Sequence, residues 1–195
     1  AMVGKMMIWG STREGALSQA LDAVSGDVFG MYFTKAFYDR ARLSKEEFAL
    51  LKETEEKDKK ETEEKAKAAP VPSPAPAPAP KTEDKKGLEL ELDGVTERKL
   101  RLTVHTSSIS DWALSKDGER LFYLTAFEKG NDLWVTEIRT RETKIFAKLG
   151  VNNASMELSA DGKFLFVLAD GRLTKVDADN GKTEPVAVNT EMVLN

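Results

Sequence analysis

A block of four short apolar runs occurs twice in this chain, and that repeat restricts the fold more than any other feature. Residues 109–148 read ISDWALSKDGERLFYLTAFEKGNDLWVTEIRTRETKIFAK. The apolar runs fall at 112–114, 121–124, 133–138 and 144–147. Between them lie the turn Ser115-Lys116-Asp117-Gly118, a polar loop closing on Gly130-Asn131-Asp132, and the polar segment 139–143. Short apolar runs joined by tight polar connections predict an antiparallel meander of four strands. Residues 155–187, SMELSADGKFLFVLADGRLTKVDADNGKTEPVA, repeat the unit. Ser159-Ala160-Asp161-Gly162 matches Ser115-Lys116-Asp117-Gly118, and 161 − 117 gives a period of 44. In the second copy Ala169-Asp170-Gly171 replaces the longer loop 126–132.

A four-strand unit recurring every ~40–45 residues is the signature of propeller blades. A β-sandwich also strings short strands together, but the same turn at the same place in each unit favours the propeller. The predicted fold is mainly β: a partial β-propeller of about three antiparallel four-stranded blades, with an inserted helix and a disordered Pro- and charge-rich linker.

Upstream of the repeats, residues 5–9 and 27–33 read as strands, joined by a Gly- and Ser-containing connection with a helical turn at 17–24. A helix begins at Ser44, three residues before Glu47, which is a capping box; Leu43 and Phe48 occupy the staple positions beside it. Phe48 and Leu51 share a face, so the first turns can dock on a neighbour. Beyond Leu51 the apolar stripe stops. Glu53/Lys57, Glu55/Lys59, Glu56/Lys60, Glu61/Lys65 and Glu63/Lys67 are i, i+4 pairs, each contributing about 0.2–0.5 kcal/mol. This describes a solvated, fraying helix with no buried face. A coiled-coil seam has no a/d positions to use. Six prolines alternate from Pro70 to Pro80, which favours polyproline II and a semi-rigid spacer. No two of them are three apart, so the strict P-x-x-P pattern of an adaptor ligand is missing.

Residues 88–92 alternate, Asp93-Gly94 turns the chain, and residues 99–104 alternate again, which predicts a β-hairpin completing the blade begun before the linker. The division that follows is 1–51, a partial blade and the start of the helix; 52–86, a mobile and dispensable insertion; 87–105, the completing hairpin; 106–150, a blade; and 151–195, a blade and the start of the next. Trp112, Leu114, Phe122, Leu124, Trp134 and Val135 are expected to be buried, with Leu158, Phe164, Phe166 and Leu168 in equivalent places one blade on. Such an arc leaves faces uncovered at 5–33 and 164–176, and the expected outcome is modest stability with self-association or repacking of the end blades.

Chemistry is sparse. The net charge is −4 with both signs interspersed, unlike the basic patch of a nucleic-acid binder. No apolar run of ~18 residues exists to span a membrane. There are no cysteines and one histidine, so the usual zinc sets and thiol chemistry are excluded. His105 ends an alternating strand beside Thr106-Ser107-Ser108, but nothing local poises a base on a nucleophile. Asp177-Ala178-Asp179-Asn180-Gly181 does not fit an EF-hand loop, because Gly181 stands at position five and Val188 at position twelve. Asn180-Gly181 reads instead as a type I′ turn, and Asp117-Gly118, Asp161-Gly162 and Asp170-Gly171 as structural turns too. No phosphate loop or G-x-S-x-G elbow occurs. Trp9, Trp112, Trp134, Phe122, Tyr123, Phe146, Phe164 and Phe166 fall on strands, where packing between blades accounts for them. Ile109 and Asp111 stand near a strand end that can border a central channel. No catalytic, cofactor-binding or metal-binding residue is expected.

Residues 90–149 carry LELDGV…R and FEKGNDLWVT, and the stretch from Gly4 carries GKMMIWGSTREG, DVFGMYFTKAFYDR and RLSKEEF. In these strings the chain resembles the β-propeller region of bacterial tricorn-type serine peptidases. The resemblance implies a start inside a blade, with Gly4-Lys5 the remnant of a turn. It also implies protease machinery in domains outside this chain, and propellers that gate or filter peptides. The implied partners are the remaining blades, the peptidase domains and peptides, and the implied compartment is the periplasm, with the cytoplasm as the alternative. A free-standing protein-binding module is the alternative; an enzyme in its own right lacks residues to carry it.

Overall fold

The repeated turn forms twice with the same hydrogen bonds. The Ser115 hydroxyl donates to Asp117 Oδ1 at 2.5 Å, and the Ser159 hydroxyl to Asp161 Oδ1 at 2.6 Å. The same carboxylate oxygens accept from the N–H groups of Glu119 (3.0 Å) and Lys163 (3.1 Å). Gly118 and Gly162 close the turns in the left-handed region, at φ 76° and 78°. A second connection also repeats, now with offset 181 − 141 = 40, because the hairpin before it is shorter in the later copy. Arg141 N–H donates to Glu137 O at 2.8 Å and Gly181 N–H to Asp177 O at 2.9 Å. Asn180-Gly181 is therefore not a type I′ pair: only Gly181 has positive φ, closing a four-residue loop. The type I′ pair is Asp170-Gly171, at φ 50° and 72°. At position 181 a Cβ would lie 2.4 Å from Phe146 O, so glycine is required there by space as well as by φ.

These bonds make acid sensitivity predictable. Ser159 and the Lys163 N–H hold the Asp161 carboxyl below its ordinary value, and the backbone N–H of Asp179 does the same for Asp177. At Asp117 burial pushes upward, but the Ser115 hydroxyl and Glu119 N–H outweigh it. Carboxyls with depressed folded pKa values contribute stability that is present above their unfolded value, about 3.9, and is lost as pH falls through the folded value. Thermal midpoints are expected to be level between about pH 6 and 5 and to fall below about pH 4, with a smaller fall in Asp117→Asn.

The computed structural model describes residues 2–3, 6–13, 17–18, 23–24, 26–67, 90–126 and 130–187. The first sheet holds β1 (Met2–Val3) and β2 (Met6–Ser11). A two-residue hairpin follows, β3 (Leu17–Ser18) with β4 (Ala23–Val24), where the sequence suggested a helical turn. The sheet resumes at β5 (Asp27–Tyr32), and its last strand is β6 (Lys99–Arg101), far along the chain, giving the order β1-β2-β5-β6. The second sheet is β7 (Ile109–Leu114), β8 (Arg120–Thr125), β9 (Asn131–Glu137) and β10 (Thr143–Val151). The third is β11 (Ser155–Leu158), β12 (Phe164–Ala169), β13 (Arg172–Asp177) and β14 (Thr183–Val186). Each repeat is thus its own antiparallel sheet in sequential order, not half of a sandwich.

Among the described residues between β5 and β6 there are two α-helices, one more than the sequence suggested. α1 (Lys35–Arg42) starts at Thr34, whose hydroxyl accepts from the Phe37 N–H at 3.5 Å. α2 (Lys45–Lys67) starts with the capping box formed both ways: Ser44 N–H to Glu47 Oε2 at 2.8 Å, and Glu47 N–H to Ser44 Oγ at 3.3 Å. Phe48 is buried and Leu51 half-buried, while residues 52–54 are exposed. No described helix is long and apolar enough to cross a membrane. The proline run lies outside the described residues.

Among the described residues, the hairpin expected at 88–104 does not form. Residues 90–92 make no strand, and Leu90 and Leu92 are 48% and 71% exposed. Gly94 leads into a 3-10 turn (Val95–Glu97) instead. The cause is Arg98, only 6% exposed, which donates to the carbonyls of Tyr32 (3.2 Å), Asp93 (2.8 Å), Phe33 (3.3 Å) and Glu91. Folding the segment around one guanidinium satisfies these groups without a strand partner.

The core has two layers. Met6, Ile8, Val28, Tyr32 and Leu102 of the first sheet region meet Leu114, Leu121, Tyr123 and Ile138 of the second. Phe122, Leu124, Leu133 and Val135 on the other face of the second sheet meet Met156, Leu165, Val167 and Val176 of the third. Leu121 to Thr125 are consequently all buried, on both faces of β8. β12 differs: Leu165 and Val167 are buried, but Phe164 and Phe166 are half-buried and Leu168 is 51% exposed, contrary to the expected burial. Trp112, Trp134 and Leu158 are also only half-buried, at the margins of the layers.

Candidate functional site

The helices and the first two sheets border a half-open cleft of about 310 Å³. Its floor is apolar, with Met6, Phe37, Phe48, Leu114 and Ile138, and Tyr32 stands at the side. Arg139 builds it. This side chain sits in the loop after β9, and its Nη1 donates to Arg40 O at 3.1 Å and Leu43 O at 2.8 Å. Those are carbonyls at the C-terminal end of α1, where a helix lacks internal donors and favours a cation. The same guanidinium stacks on the Phe48 ring, 3.6 Å from its centroid. Arg40 in turn pairs with Glu55, joining α1 to α2. Arg139→Ala is expected to cost about 1–3 kcal/mol and to raise amide exchange in α1 and the start of α2, leaving the third sheet protected.

The charged groups that line the cleft are engaged within the fold. Burial pushes the Tyr32 phenol up to about 12, so it stays protonated at neutral pH. Asp117 is engaged by its own turn, and Glu119 lies 3.8 Å from Lys52 and 4.0 Å from Arg139. No nucleophile stands beside a base here. His105 is exposed in a bend after β6, with no partner among the described residues, and lines neither hollow. No cluster of three metal-ligating side chains occurs among the described residues.

A second hollow, about 440 Å³, lies near Gly10, Asp27, Ile109 and Trp112. Asp27 is fully buried and saturated: Oδ1 accepts from Arg101 at 2.7 Å and Thr103 at 2.8 Å, and Oδ2 from Thr106 at 3.1 Å. It fastens β5 to the segment after β6. Asp111 serves the same purpose between sheets, accepting from the N–H groups of Trp112 and, across to β11, Met156, both at 2.8 Å. Sequence reasoning missed Arg98 and Arg139. Arg139 binds carbonyls 96 and 99 residues away, and two of the four that Arg98 binds lie 65 and 66 residues away, so local sequence gives neither its role.

Side by side, the sheets also touch through equivalent groups. Lys116 in one repeated turn donates to Ala160 O in the next at 2.9 Å, and Arg120 donates to Ala178 O at 2.7 Å. This is part of a β-propeller. Scans against protein families and against curated proteins match nothing. Two solved structures are similar in fold. One is the crystal structure of TolB from Acinetobacter baumannii, with 14% identity over 46% of this chain and 24% of that one, at a TM-score of 0.40. The other is that of the tricorn protease, with 13% identity over 94% of this chain and 16% of that one, at a TM-score of 0.49. The chain thus spans well under a third of either protein. Within the propeller segment, Arg139 holds the inserted helices against the first two blades, and Asp111 locks the inner strands of the second and third.

Proposed function

We propose that this chain is a non-catalytic propeller segment of a tricorn-like serine peptidase, serving as scaffold or gate for peptides cut by protease domains outside it. What carries the reading is the likeness of residues 90–149, and of the stretch from Gly4 through RLSKEEF, to the propeller region of that family. The partial propeller fold agrees with it. In this reading residues 1–51 and 87–105 form one blade interrupted by the insertion 52–86, with blades at 106–150 and 151–195. The remaining blades and the peptidase domains are its partners, peptides pass over it, and the compartment is the periplasm.

A free-standing protein-binding module is the second reading. The apolar-floored cleft under α1 and α2 favours it, being of a size to take a side chain. The purified chain is expected to leave an unstructured peptide uncut. Cleavage abolished by His105→Ala would overturn both readings. The source gene separates them: a coding sequence running on into a serine peptidase supports the first, and a stop codon after Asn195 supports the second.

A further inference from the structure

We propose that the cleft beside Tyr32 binds a small uncharged molecule, mostly apolar and carrying one hydrogen-bond acceptor. The inference rests on the cleft alone and goes beyond both readings above, neither of which gives this chain a small ligand. Every lining residue lies between positions 6 and 139, within the described part of the chain.

The charged side chains of the lining decide against a charged ligand. Arg40 pairs with Glu55, and Lys116 donates to Ala160 O at 2.9 Å. Asp117 is held by the Ser115 hydroxyl, and Glu119 faces both Lys52 and Arg139. Arg139 gives Nη1 to the carbonyls of Arg40 and Leu43. A charged ligand would have to displace one of these partners or be buried without a counter-charge, and both are costly.

Tyr32 is the exception. The residue is only 7% exposed, and its backbone N–H donates to Arg98 O at 3.1 Å. Its hydroxyl has no hydrogen-bond partner among the described residues. That hydroxyl is not sealed in, as the unpartnered Nε of Arg139 is, so it reaches the cleft that its ring helps to line. Burial pushes its pKa up to about 12, so at neutral pH it keeps its proton and can donate it to an acceptor. Around it stand Met6, Phe37, Ala41, Phe48, Leu114 and Ile138. An apolar hollow with one placed donor holds a ligand by the apolar area it buries and orients it by that donor. The volume of about 310 Å³ is at the lower end of the range for small-molecule sites, roughly 300–1,000 Å³, which fits one compact molecule.

Methyl NMR of the whole chain, labelled at methionine, tests this. The probes are acetophenone, which carries an acceptor, and toluene, which does not. Acetophenone is expected to shift the Met6 methyl saturably, and to leave unmoved that of Met156, in the layer between the second and third sheets. Tyr32→Phe removes only the hydroxyl. It is expected to weaken acetophenone binding about two- to twelvefold, the range of one neutral hydrogen bond, and toluene binding by less than about twofold. Ala41→Trp, at a half-buried position on α1, is expected to fill the hollow and abolish binding of both probes. The proposal fails if neither probe moves the Met6 methyl, if Tyr32→Phe binds acetophenone as well as the native chain does, or if both probes bind Ala41→Trp unchanged. It also fails if the tripeptide acetyl-Ala-Phe-Ala-amide binds the cleft more tightly than acetophenone, which would assign it to a protein partner.

Discussion

Leu124→Ala is expected to destabilise the chain by about 2–5 kcal/mol, and Leu168→Ala by only about 0.5 kcal/mol. The two leucines stand 44 residues apart at the same place in their repeats. Leu124 is completely buried in the layer between the second and third sheets, so truncation leaves a cavity. Leu168 points away from that layer and is 51% exposed. Urea denaturation checks the pair. Equal losses would mean that the third sheet's outer face is covered after all.

Arg98→Ala is expected to cost about 3–5 kcal/mol. Its guanidinium makes hydrogen bonds to four carbonyls, and its ion pair to Glu91 adds little because that carboxylate, 3.9 Å away, is largely exposed. Four charge-assisted bonds at about 1.5 kcal/mol each would total about 6, and non-additivity with release of the segment lowers the figure. Arg98→Lys should recover little, since a single ammonium cannot reach carbonyls spread around a planar fork. Exchange at the amide of Leu102, which donates to Val28 O at 2.8 Å, reports whether the segment after α2 has undocked from β5. Protection there unchanged in Arg98→Ala would show that β6 holds without the arginine.

Both substitutions probe contacts that local sequence describes poorly. The strands of the second and third sheets, the two Ser-x-Asp-Gly turns and the Ser44/Glu47 capping box form where the sequence places them. The turns and the capping box are made of groups within about six residues of one another, and a turn closed by its own hydroxyl and carboxylate needs nothing from the rest of the chain. α1 escaped because it is short and its Thr34 cap has no acidic partner at the third helical position. The hairpin at 88–104 was wrongly expected because leucine alternation at 88–92 has the period of a strand, yet no sheet face receives Leu90 and Leu92.

The sequence by itself determined the repeat, its period and the turns that bound it. It also determined that each strand of the second and third sheets carries apolar side chains. Tertiary structure alone decided which apolar faces are covered. Phe122 and Phe166 occupy equivalent positions in equivalent strands, and one is buried while the other stands half open, because a third sheet lies over the first and nothing of the described chain lies over the second. It also decided that Arg98, Arg139 and Arg141 fasten segments together. Arg139 reaches carbonyls 96 and 99 residues away, and Arg141 reaches Thr103 O across 38. Alternation fixes the chemistry of a face through local backbone geometry, whereas what meets that face depends on the relative placement of sheets far apart in the chain.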